Sequence, residues 1–368
     1  MRTSGLTEFP RGRTAIVHYW LLGMRGGEKV LEALCRLLPD ADIFTLFYDP
    51  ERVSPLIRQR RVTASFLNPL RRYYRSLLPL MPAALEHFDL RAYNLVVSSE
   101  SGPAKGVITR AGTRHICYCH TPMRYLWDLY PEYLNEWTRS RMKRALIAAM
   151  MPRLRGWDVA TAAHVDEFVA NSENVRGRIW KTYRRESRVV HPPVAVGTFR
   201  HEPAEDYFLM VSELVPYKRV DAAVRAFSKS GRRLRIAGDG PEFARLQKMA
   251  AKNVEFCGRV SDEELRGLYA RARAFVMPGE EDFGITTVEA IASGKAVIAL
   301  GRGGVCEIVP EEGAFFYDSP DDESLEAAVR RFETAEAAIP AAQLQTAATR
   351  FSEAEFDRKM REVLYKHE

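Results

Sequence analysis

Residues 278–289, PGEEDFGITTVE, decide the fold of this chain. The apolar run AFVMP ends at Pro278 and predicts a buried strand, and the ITTVEAIASG that follows has the spacing of a helix packed on a sheet. Between them lies a strand-to-helix turn with Phe283-Gly284 at its apex. Amides at the start of such a helix have no partner in an earlier turn, so they favour negative charge. We therefore predict that this turn binds phosphate.

Two carboxylates bracket the predicted helix start. Glu281 precedes the helix, and Glu289 comes about two helical turns later. The nearer carboxylate can reach the neutral hydroxyls of a ligand, and the farther one can reach a second polyol. A sugar, a phosphate and a ribose would fit this arrangement.

The alternation of strands and helices occurs twice along the chain. A length of 368 residues with 46% hydrophobic content exceeds what one core usually serves. Strands are predicted before His191-Pro192-Pro193 at TAIVHYW, NLVVSSE, RHICYCH and FVANS, and after it at YFLMVSE, LRIAG, VEFCGRV, AFVMP and AVIAL. We predict two doubly wound α/β domains, 1–192 and 193–350. Ligands bind beyond the carboxyl ends of strands in such sheets, so we expect the site in the cleft between the domains.

Five further motifs accompany the two glutamates in a fixed order. They are GGE at 26–28, CHTP at 119–122, VPYK at 215–218, GDGP at 238–241 and GRVSDEE at 258–264. With these motifs the chain resembles the retaining glycosyltransferases of family 4 over nearly its whole length. The resemblance implies the α/β GT-B fold, in which two doubly wound Rossmann-like domains face each other across a cleft. It also implies that the amphipathic segment 351–368 packs back on the N-terminal domain as a helix.

The resemblance implies a set of catalytic and donor-binding residues. Glu281 is expected to orient donor hydroxyls, Glu289 to hold the ribose, and Lys218, with the amides of Thr286 and Thr287, to stabilise the leaving phosphate. His120 ends the strand RHICYCH and is expected to hydrogen bond to a sugar hydroxyl or to the developing oxocarbenium ion. The other donor contacts are expected at Gly26, Gly27, Arg219, Gly238, Arg259, Val260, Asp282, Phe283, Gly284 and Ile285. Acceptor contacts are expected at Lys105, Arg124 and Tyr125.

One position departs from the family pattern. Family members commonly have an arginine five residues before the lysine, and this chain has Glu213 there. A carboxylate does not bind phosphate, so Arg219 or another arginine substitutes, or the donor is held more weakly, or the protein binds a sugar nucleotide without turnover.

The resemblance favours transfer of a hexose with retention at the anomeric carbon. The expected donor is a nucleoside diphosphate sugar, GDP-mannose, and the expected acceptor is a lipid-diphosphate-linked oligosaccharide of cell-surface polysaccharide assembly. Guanine and uracil both remain open as the base. Two alternatives are a non-catalytic sugar-nucleotide-binding subunit and a nucleotide-sugar epimerase of GT-B architecture.

No cofactor and no metal ion are predicted. Asp40-Ala41-Asp42 has the D-x-D form with which another glycosyltransferase fold binds a divalent metal. It precedes the strand IFTLF, however, and doubly wound sheets do not place ligands at the amino ends of strands. We therefore interpret it as a loop.

Charge divides the chain unevenly. Residues 1–192 contain 30 Lys and Arg against 18 Asp and Glu, whereas the remainder contains 24 against 30. Basic residues adjoin apolar ones at 71–82 and 139–155, which predicts either contact with anionic lipid or a solvated basic helix face. Nucleic acid is disfavoured because no recognition motif accompanies the charge. Without an apolar membrane span or a signal peptide, we expect a cytoplasmic protein, peripheral on the inner membrane face.

Overall fold

A computed structural model describes residues 12–138 and 140–365. Arg139, in the basic segment 139–155, and residues 366–368, at the end of the predicted C-terminal helix, lie outside the described residues. The chain forms two compact units. One runs from the start of the described chain to Pro193 and takes in the stretch from Phe356 onward, and the other is Val194–Glu355.

The first unit is built on a sheet of seven strands among the described residues. The strands are β1 (Arg13–His18), β2 (Asp42–Thr45), β3 (Val62–Ala64), β4 (Tyr93–Glu100), β5 (Arg114–Cys119), β6 (Glu167–Ala170) and β7 (Ser187–Val189). The helices of this part of the chain are α1 (Gly26–Leu37), α2 (Pro55–Arg58), α3 (Met81–Glu86), α4 (Tyr130–Trp137), α5 (Arg141–Ala162) and α6 (Glu173–Tyr183). A 3₁₀ helix spans Asn68–Leu80, and another spans Ala104–Gly106.

All neighbouring strands of the first sheet are parallel, in the order β3-β2-β1-β4-β5-β6-β7. The central strands are continuous apolar runs because helices cover both faces of such a sheet. The register pairs His18 of β1 with Ser99 of β4, and Glu100 of β4 with Cys119 of β5. The carboxyl ends of β1, β4 and β5 therefore meet at one edge, where each strand turns polar.

Helix α1 begins directly beyond this edge. Its Glu28 side chain accepts a hydrogen bond from the Arg25 amide at 2.9 Å, which satisfies a donor that precedes the helix. Val30, Leu31 and Leu34 are fully buried on one face of the helix. This amphipathic pattern fixes α1 against the sheet and so fixes the start of the helix beside the strand ends.

The second unit has a sheet of six strands among the described residues. They are β8 (Phe208–Val211), β9 (Leu234–Ala237), β10 (Val254–Gly258), β11 (Ala274–Met277), β12 (Ala296–Leu300) and β13 (Ala314–Tyr317). They are parallel, in the order β10-β9-β8-β11-β12-β13. The helices are α7 (Val220–Ser230), α8 (Phe243–Met249), α9 (Asp262–Arg271), α10 (Ile285–Ala292), α11 (Val305–Ile308), α12 (Asp322–Ala335) and α13 (Ala341–Ala348).

The last helix, α14 (Glu353–Leu364), contributes to the core of the first unit. Phe356, Met360 and Val363 are buried there, and Phe356 packs edge-on against Tyr118 of β5. Arg114, at the start of β5, donates hydrogen bonds to the carbonyl oxygens of the last residues of the helix. The C-terminal helix is thus held by both apolar packing and hydrogen bonds.

Helix α5 is 22 residues long and carries much of the predicted basic segment. Near its start Met142 is 80% exposed, and Leu146 is also exposed. Further along, Asp158 is fully buried. Taken over the described residues, no helix combines the length and the apolar character that crossing a membrane requires.

Candidate active site

The turn between β11 and α10 brings together two side chains from separate sequence motifs. Lys218 ends a 3₁₀ helix, Pro216–Lys218, that follows β8, and its Nζ forms an ion pair with Oε1 of Glu281. Both side chains are partly exposed, 15% for Lys218 and 23% for Glu281. The pair is therefore fixed by the fold and still open to a ligand.

Glycines let the backbone fold tightly around this pair. A Cβ atom on Gly279 would lie 2.7 Å from the carbonyl oxygen of Lys218, closer than real Cβ atoms approach. Gly284 has φ of +102°, in the left-handed region that favours glycine, and α10 begins at the next residue. The turn that precedes the helix thus depends on glycine at both positions.

The amides at the start of α10 differ from those that the sequence predicted. The amide of Thr287 donates to the carbonyl oxygen of Gly284 at 3.0 Å, and the Thr287 side chain is fully buried with its hydroxyl against Met277. Thr287 is therefore not available to a phosphate. Within the described chain, the amides of Ile285 and Thr286 form no backbone hydrogen bond, as expected for the first turn of a helix.

Glu289 lies deeper in the same helix and is only 5% exposed. Tyr269, at the end of α9, is fully buried and donates its hydroxyl to the carbonyl oxygen of Thr286 at 3.1 Å. Burial, together with the neighbouring Glu289 carboxylate, raises the pKa of Tyr269 well above its usual value. Tyr269 thus braces the first turn of α10. No sequence signal points to Tyr269, because an aromatic residue on a helix usually belongs to the core.

A second glycine pair closes the other side of the turn. It was not among the predicted site residues. Gly303 and Gly304 follow β12, and the amide of Gly304 donates to the carbonyl oxygen of Glu281 at 2.9 Å. A Cβ atom on Gly304 would lie 2.3 Å from the carbonyl oxygen of Phe283. Only a residue without a side chain fits there. A strand followed by a glycine pair was the signal used at Gly26-Gly27, and it occurs here too.

Phe283 itself faces the protein interior. Its side chain is 3% exposed and packs edge-on against Phe351 at 5.6 Å between ring centroids. A donor could meet this residue only at its backbone, so the predicted contact does not involve the ring. Asp282 and Gly284, on either side of it, are partly exposed.

Other predicted donor residues lie near the carboxyl ends of β8, β9 and β10. Gly238 has φ of +137°, and a Cβ atom there would collide with the carbonyl oxygen of Ser212. Arg259, followed by the partly exposed Val260, extends its guanidinium to 3.3 Å from Asp239. The guanidinium of Arg219 donates to the carbonyl oxygen of Pro320 at 2.7 Å.

His120 and the Gly26-Gly27 turn come together in the first unit. A Cβ atom on Gly27 would lie 2.5 Å from the hydroxyl of Tyr19 and 3.6 Å from Nε2 of His120. Burial, with a smaller effect of the nearby His18, lowers the pKa of His120 to about 3. His120 is therefore a neutral imidazole at physiological pH.

A row of buried polar side chains continues from His120 into the sheet. Nε2 of His120 lies 3.0 Å from Oγ of Ser99, and Nδ1 of His18 lies 3.1 Å from the same oxygen. On the far side of the His18 ring, Nε2 faces Oε1 of Glu28 at 3.6 Å. His18, Ser99 and Glu28 were not among the predicted site residues. The sequence signals for these residues are the polar positions that end the apolar strands and the glutamate of the GGE motif.

Each unit matches a model of a known protein family. The model described as Glycosyltransferase Family 4 matches residues 24–197, and the model described as Glycosyl transferases group 1 matches residues 198–351. The chain has the two-domain GT-B fold.

Curated relatives match parts of this GT-B chain. The O-antigen chain mannosyltransferase RfbU of Salmonella typhimurium is 30% identical over 175 residues, which cover 44% of this chain and 49% of that protein. A GDP-mannose-dependent alpha-mannosyltransferase of Mycobacterium tuberculosis is 32% identical over 166 residues, 45% of this chain and 38% of that protein. The matches to these relatives span less than half of the relatives' own lengths.

Solved structures match the GT-B chain along almost its entire length. Anabaena Alr3699/HepE in complex with UDP-glucose has a TM-score of 0.70 at 16% identity and covers 96% of this chain and 100% of that one. The lipopolysaccharide outer core galactosyltransferase WaaB has a TM-score of 0.65 at 14% identity, with 96% and 99% covered. At such low identity these matches establish the fold alone, and they confirm the predicted GT-B fold class.

One predicted acceptor residue of the GT-B chain is not accessible from the surface. Lys105 is fully buried, and its Nζ forms ion pairs with Glu100 at 3.2 Å and with Asp158. Asp158 also accepts hydrogen bonds from the Trp127 indole and the Tyr183 hydroxyl. The prediction that Lys105 contacts acceptor is wrong, because an acceptor cannot reach a side chain enclosed in this network. Arg124 and Tyr125 are partly buried after β5, and their predicted role stays a prediction.

The D-x-D segment leads into the amino end of β2. Asp42 is the first residue of β2 rather than part of a loop. Its carboxylate accepts hydrogen bonds from the Tyr93 hydroxyl and the Arg13 guanidinium. Across residues 12–138 and 140–365, no three His, Cys, Asp or Glu side chains are grouped to hold a metal ion. Metal independence remains a prediction.

Proposed function

We propose that the protein is a retaining hexosyltransferase that moves mannose from GDP-mannose to a lipid-diphosphate-linked oligosaccharide in the assembly of cell-surface polysaccharide. The observation that carries the proposal is the partly exposed Lys218–Glu281 pair, together with the amides of Ile285 and Thr286, which form no backbone hydrogen bond within the described chain. Together they offer one ammonium, two amides and a carboxylate that can accept from hydroxyls. A sugar joined to a diphosphate has the complementary groups.

The proposed chemistry depends on stabilising the leaving diphosphate. As the bond between the anomeric carbon and the phosphate oxygen breaks, negative charge grows on that oxygen, and Lys218 with the helix amides offsets it. The acceptor hydroxyl attacks from the same face and gives its proton to the departing phosphate. Glu281 orients donor hydroxyls, and Glu289 holds the ribose. Loss of one such charge-stabilising donor costs about 3 kcal/mol, or roughly two orders of magnitude in rate.

The choice of GDP-mannose is supported by the names of relatives. Both curated relatives described above are mannosyltransferases, and one is called GDP-mannose-dependent. The structural neighbour HepE, by contrast, was crystallised with UDP-glucose. The test of the proposed function therefore uses both a guanine and a uracil donor.

Basic and apolar residues on the surface of the first unit support the proposed contact with lipid. Basic residues on α5 accompany the exposed Met142 and Leu146, and Arg72 and Arg75 accompany the exposed Tyr73 in the 3₁₀ helix Asn68–Leu80. At about 1 kcal/mol for each basic residue near an anionic surface, four of them would supply roughly 4 kcal/mol. Such binding is reversible, as peripheral attachment at the inner membrane face requires.

The test is a donor panel with a lipid acceptor. The protein is incubated with membrane lipid extract and with radiolabelled GDP-mannose or UDP-glucose, in buffer containing EDTA. Label in the lipid phase from GDP-mannose is expected, and Glu281→Ala is expected to abolish it while circular dichroism stays unchanged. Full transfer by that variant would remove Glu281 from its role. Transfer from UDP-glucose alone would correct the donor.

A second candidate, a sugar-nucleotide-binding subunit without turnover, is favoured by Glu213. This residue lies two positions beyond β8, where the family commonly has a phosphate-binding arginine. Donor that is bound but recovered unchanged in the assay would support this candidate. An altered sugar without label in lipid would support an epimerase.

A further inference from the structure

The ammonium of Lys218 is already paired within the turn that precedes α10. Its Nζ forms an ion pair with Oε1 of Glu281, and the two side chains are 15% and 23% exposed. The pair carries no net charge. A diphosphate that binds here must therefore draw the ammonium away from the carboxylate or share it. Sharing is unfavourable because it places two anionic groups beside one cation.

The main chain on both sides of the pair is closely packed, so an exchange of partners falls to the side chains. A Cβ atom on Gly279 would lie 2.7 Å from the carbonyl oxygen of Lys218, and one on Gly303 would lie 2.3 Å from the carbonyl oxygen of Glu281. The Gly304 amide also donates to that Glu281 oxygen at 2.9 Å. Lysine has a flexible four-carbon stem. The Lys218 side chain can therefore turn toward a ligand while both backbones stay in place.

The two nucleotides of a transfer reaction act differently on this pair. In a sugar nucleotide the terminal phosphate is esterified, and the sugar brings hydroxyl groups that can donate to Glu281. Lys218 can then turn to the diphosphate while Glu281 gains a new partner. A free nucleoside diphosphate has one more ionisable oxygen and no sugar at that end. It takes the ammonium and leaves the Glu281 carboxylate beside a phosphate of the same charge, which is unfavourable.

We propose that Glu281 determines specificity by competing with the diphosphate for Lys218, so that the site favours a complete sugar nucleotide over the nucleoside diphosphate that transfer releases. The identity of the two ligands rests on the proposed function, whereas the ion pair does not. A carboxylate that only orients sugar hydroxyls would have no effect on a nucleotide without a sugar. A competing carboxylate weakens the binding of that nucleotide, so removal of its charge should tighten the binding.

Glu281→Gln gives the sharpest test because it removes the charge and keeps the shape. The amide oxygen can still accept a hydrogen bond from a sugar hydroxyl, but a neutral acceptor holds an ammonium less strongly than a carboxylate does. The diphosphate then has no ion pair to break. We expect the variant to bind the nucleoside diphosphate about five-fold more tightly, the upper end of the range for a partly exposed ion pair.

Glu280 offers a matched control for the loss of charge. It precedes Glu281 in the chain and is likewise partly exposed. Within the described chain, Lys218 forms its ion pair with Glu281 and none with Glu280. Glu280→Gln therefore removes the same charge from the same turn and leaves the pair intact. Because solvent and salt screen such a charge, nucleotide affinity should stay within about two-fold of the wild type.

The experiment is titration calorimetry of GDP and UDP in buffer containing EDTA, with circular dichroism of each variant as the check on folding. The variants are Glu281→Gln, Glu280→Gln, Lys218→Ala and the double variant Lys218→Ala/Glu281→Gln. Tighter binding than in the wild type is expected in Glu281→Gln alone. When Lys218 is absent, the same substitution has no ammonium to release, so the double variant should bind as weakly as Lys218→Ala.

Any of three results would overturn the proposal. They are an equal or lower affinity in Glu281→Gln, an equal gain in Glu280→Gln, and an equal gain when Lys218 is absent. If Glu281→Gln does not fold, Glu281→Ala takes its place, with the same expected gain. Binding of neither nucleotide by any of the proteins would also contradict the proposal, because no diphosphate would then compete for the ion pair.

The affinities for sugar nucleotides supply a second measurement, with GDP-mannose and UDP-glucose as the probes. The preference for a sugar nucleotide over its own nucleoside diphosphate is expected to fall in Glu281→Gln and to stay unchanged in Glu280→Gln. The expected affinities in a protein that transfers no sugar would count against the proposed function only. Normal transfer by the wild type, with no gain in Glu281→Gln, would count against this inference only.

Discussion

The turn of Lys218 and Glu281 in the second unit and the histidine row of the first unit differ in charge and in exposure. Lys218 and Glu281 are charged, paired and partly exposed, so each can exchange its partner for a ligand. His120 is neutral, and the side chains behind it are enclosed in the sheet. Under the proposed function, the charged groups of the second unit hold a diphosphate, and the neutral imidazole of the first unit meets a sugar hydroxyl.

A third group of charges, around Lys105, sharpens this comparison because it is charged and buried. Lys105→Met would leave Glu100 and Asp158 without their counter-ion inside the fold. We expect a loss of about 3–5 kcal/mol in the free energy of unfolding. Urea unfolding of Lys105→Met measures this loss, and Lys252→Met, at an exposed lysine, is the control. An unchanged stability with a raised acceptor KM would restore Lys105 to acceptor binding.

Removal of the partly exposed Lys218 ammonium should act on rate rather than on stability. Lys218→Ala is expected to lower kcat about 100-fold, because roughly 3 kcal/mol of leaving-group stabilisation is lost. Lys229→Ala, on the 73% exposed lysine at the end of α7, is the control and should keep the wild-type rate. Steady-state kinetics with the donor found by the panel gives both values. Equal rates in the two variants would contradict the role of Lys218.

The turn around Glu281 can be disturbed without touching a charge. A Cβ atom on Gly304 has no room beside Phe283, so Gly304→Ala is expected to cost about 1–3 kcal/mol of stability and to displace Glu281. Gly197→Ala is the control because its Cβ would meet no atom within 4 Å. Thermal unfolding and transfer activity are measured together. A Gly304→Ala variant with normal stability and activity would show that the close approach of Gly304 to the backbone of Phe283 is not needed.

The smallest expected effect is the pH dependence of the neutral histidine. The pKa of His120 is lowered to about 3 from an ordinary 6.5, so below pH 6.5 the unfolded chain binds a proton that the folded chain does not. Relative to its stability above pH 6.5, the folded protein is therefore destabilised more and more as the pH falls from 6.5 toward 3. Between pH 7.5 and pH 5 the thermal midpoint should fall by less in His120→Asn than in the wild type. Equal falls would contradict the lowered pKa of His120.

Much of the fold could be predicted because buried parallel strands are continuous apolar runs. AFVMP and AVIAL became β11 and β12, and RHICYCH became β5. Three edge strands, β3, β7 and β13, were missed. They have three or four residues, most of them only partly buried, so they lack the apolar run that reveals a central strand.

The site was harder to predict because strand order, not local pattern, assembles it. Lys218 and Glu281 were named from separate motifs, yet nothing local shows that they pair. His18 and Ser99 become neighbours only because β1 lies beside β4 in the sheet. Lys105 was misjudged for the opposite reason. Lysine is almost never fully buried unless it is paired, and the pairing with Glu100 and Asp158 is visible only in the folded chain.

The most direct test of the central claim is titration calorimetry of GDP and UDP with the wild type and with Lys218→Ala, in buffer containing EDTA. The account predicts that at least one nucleotide binds the wild type without divalent metal, and that the variant binds it roughly 10 to 100 times more weakly, the worth of a charged hydrogen bond. Equal affinity in the two proteins would contradict it, because the diphosphate would then be held elsewhere.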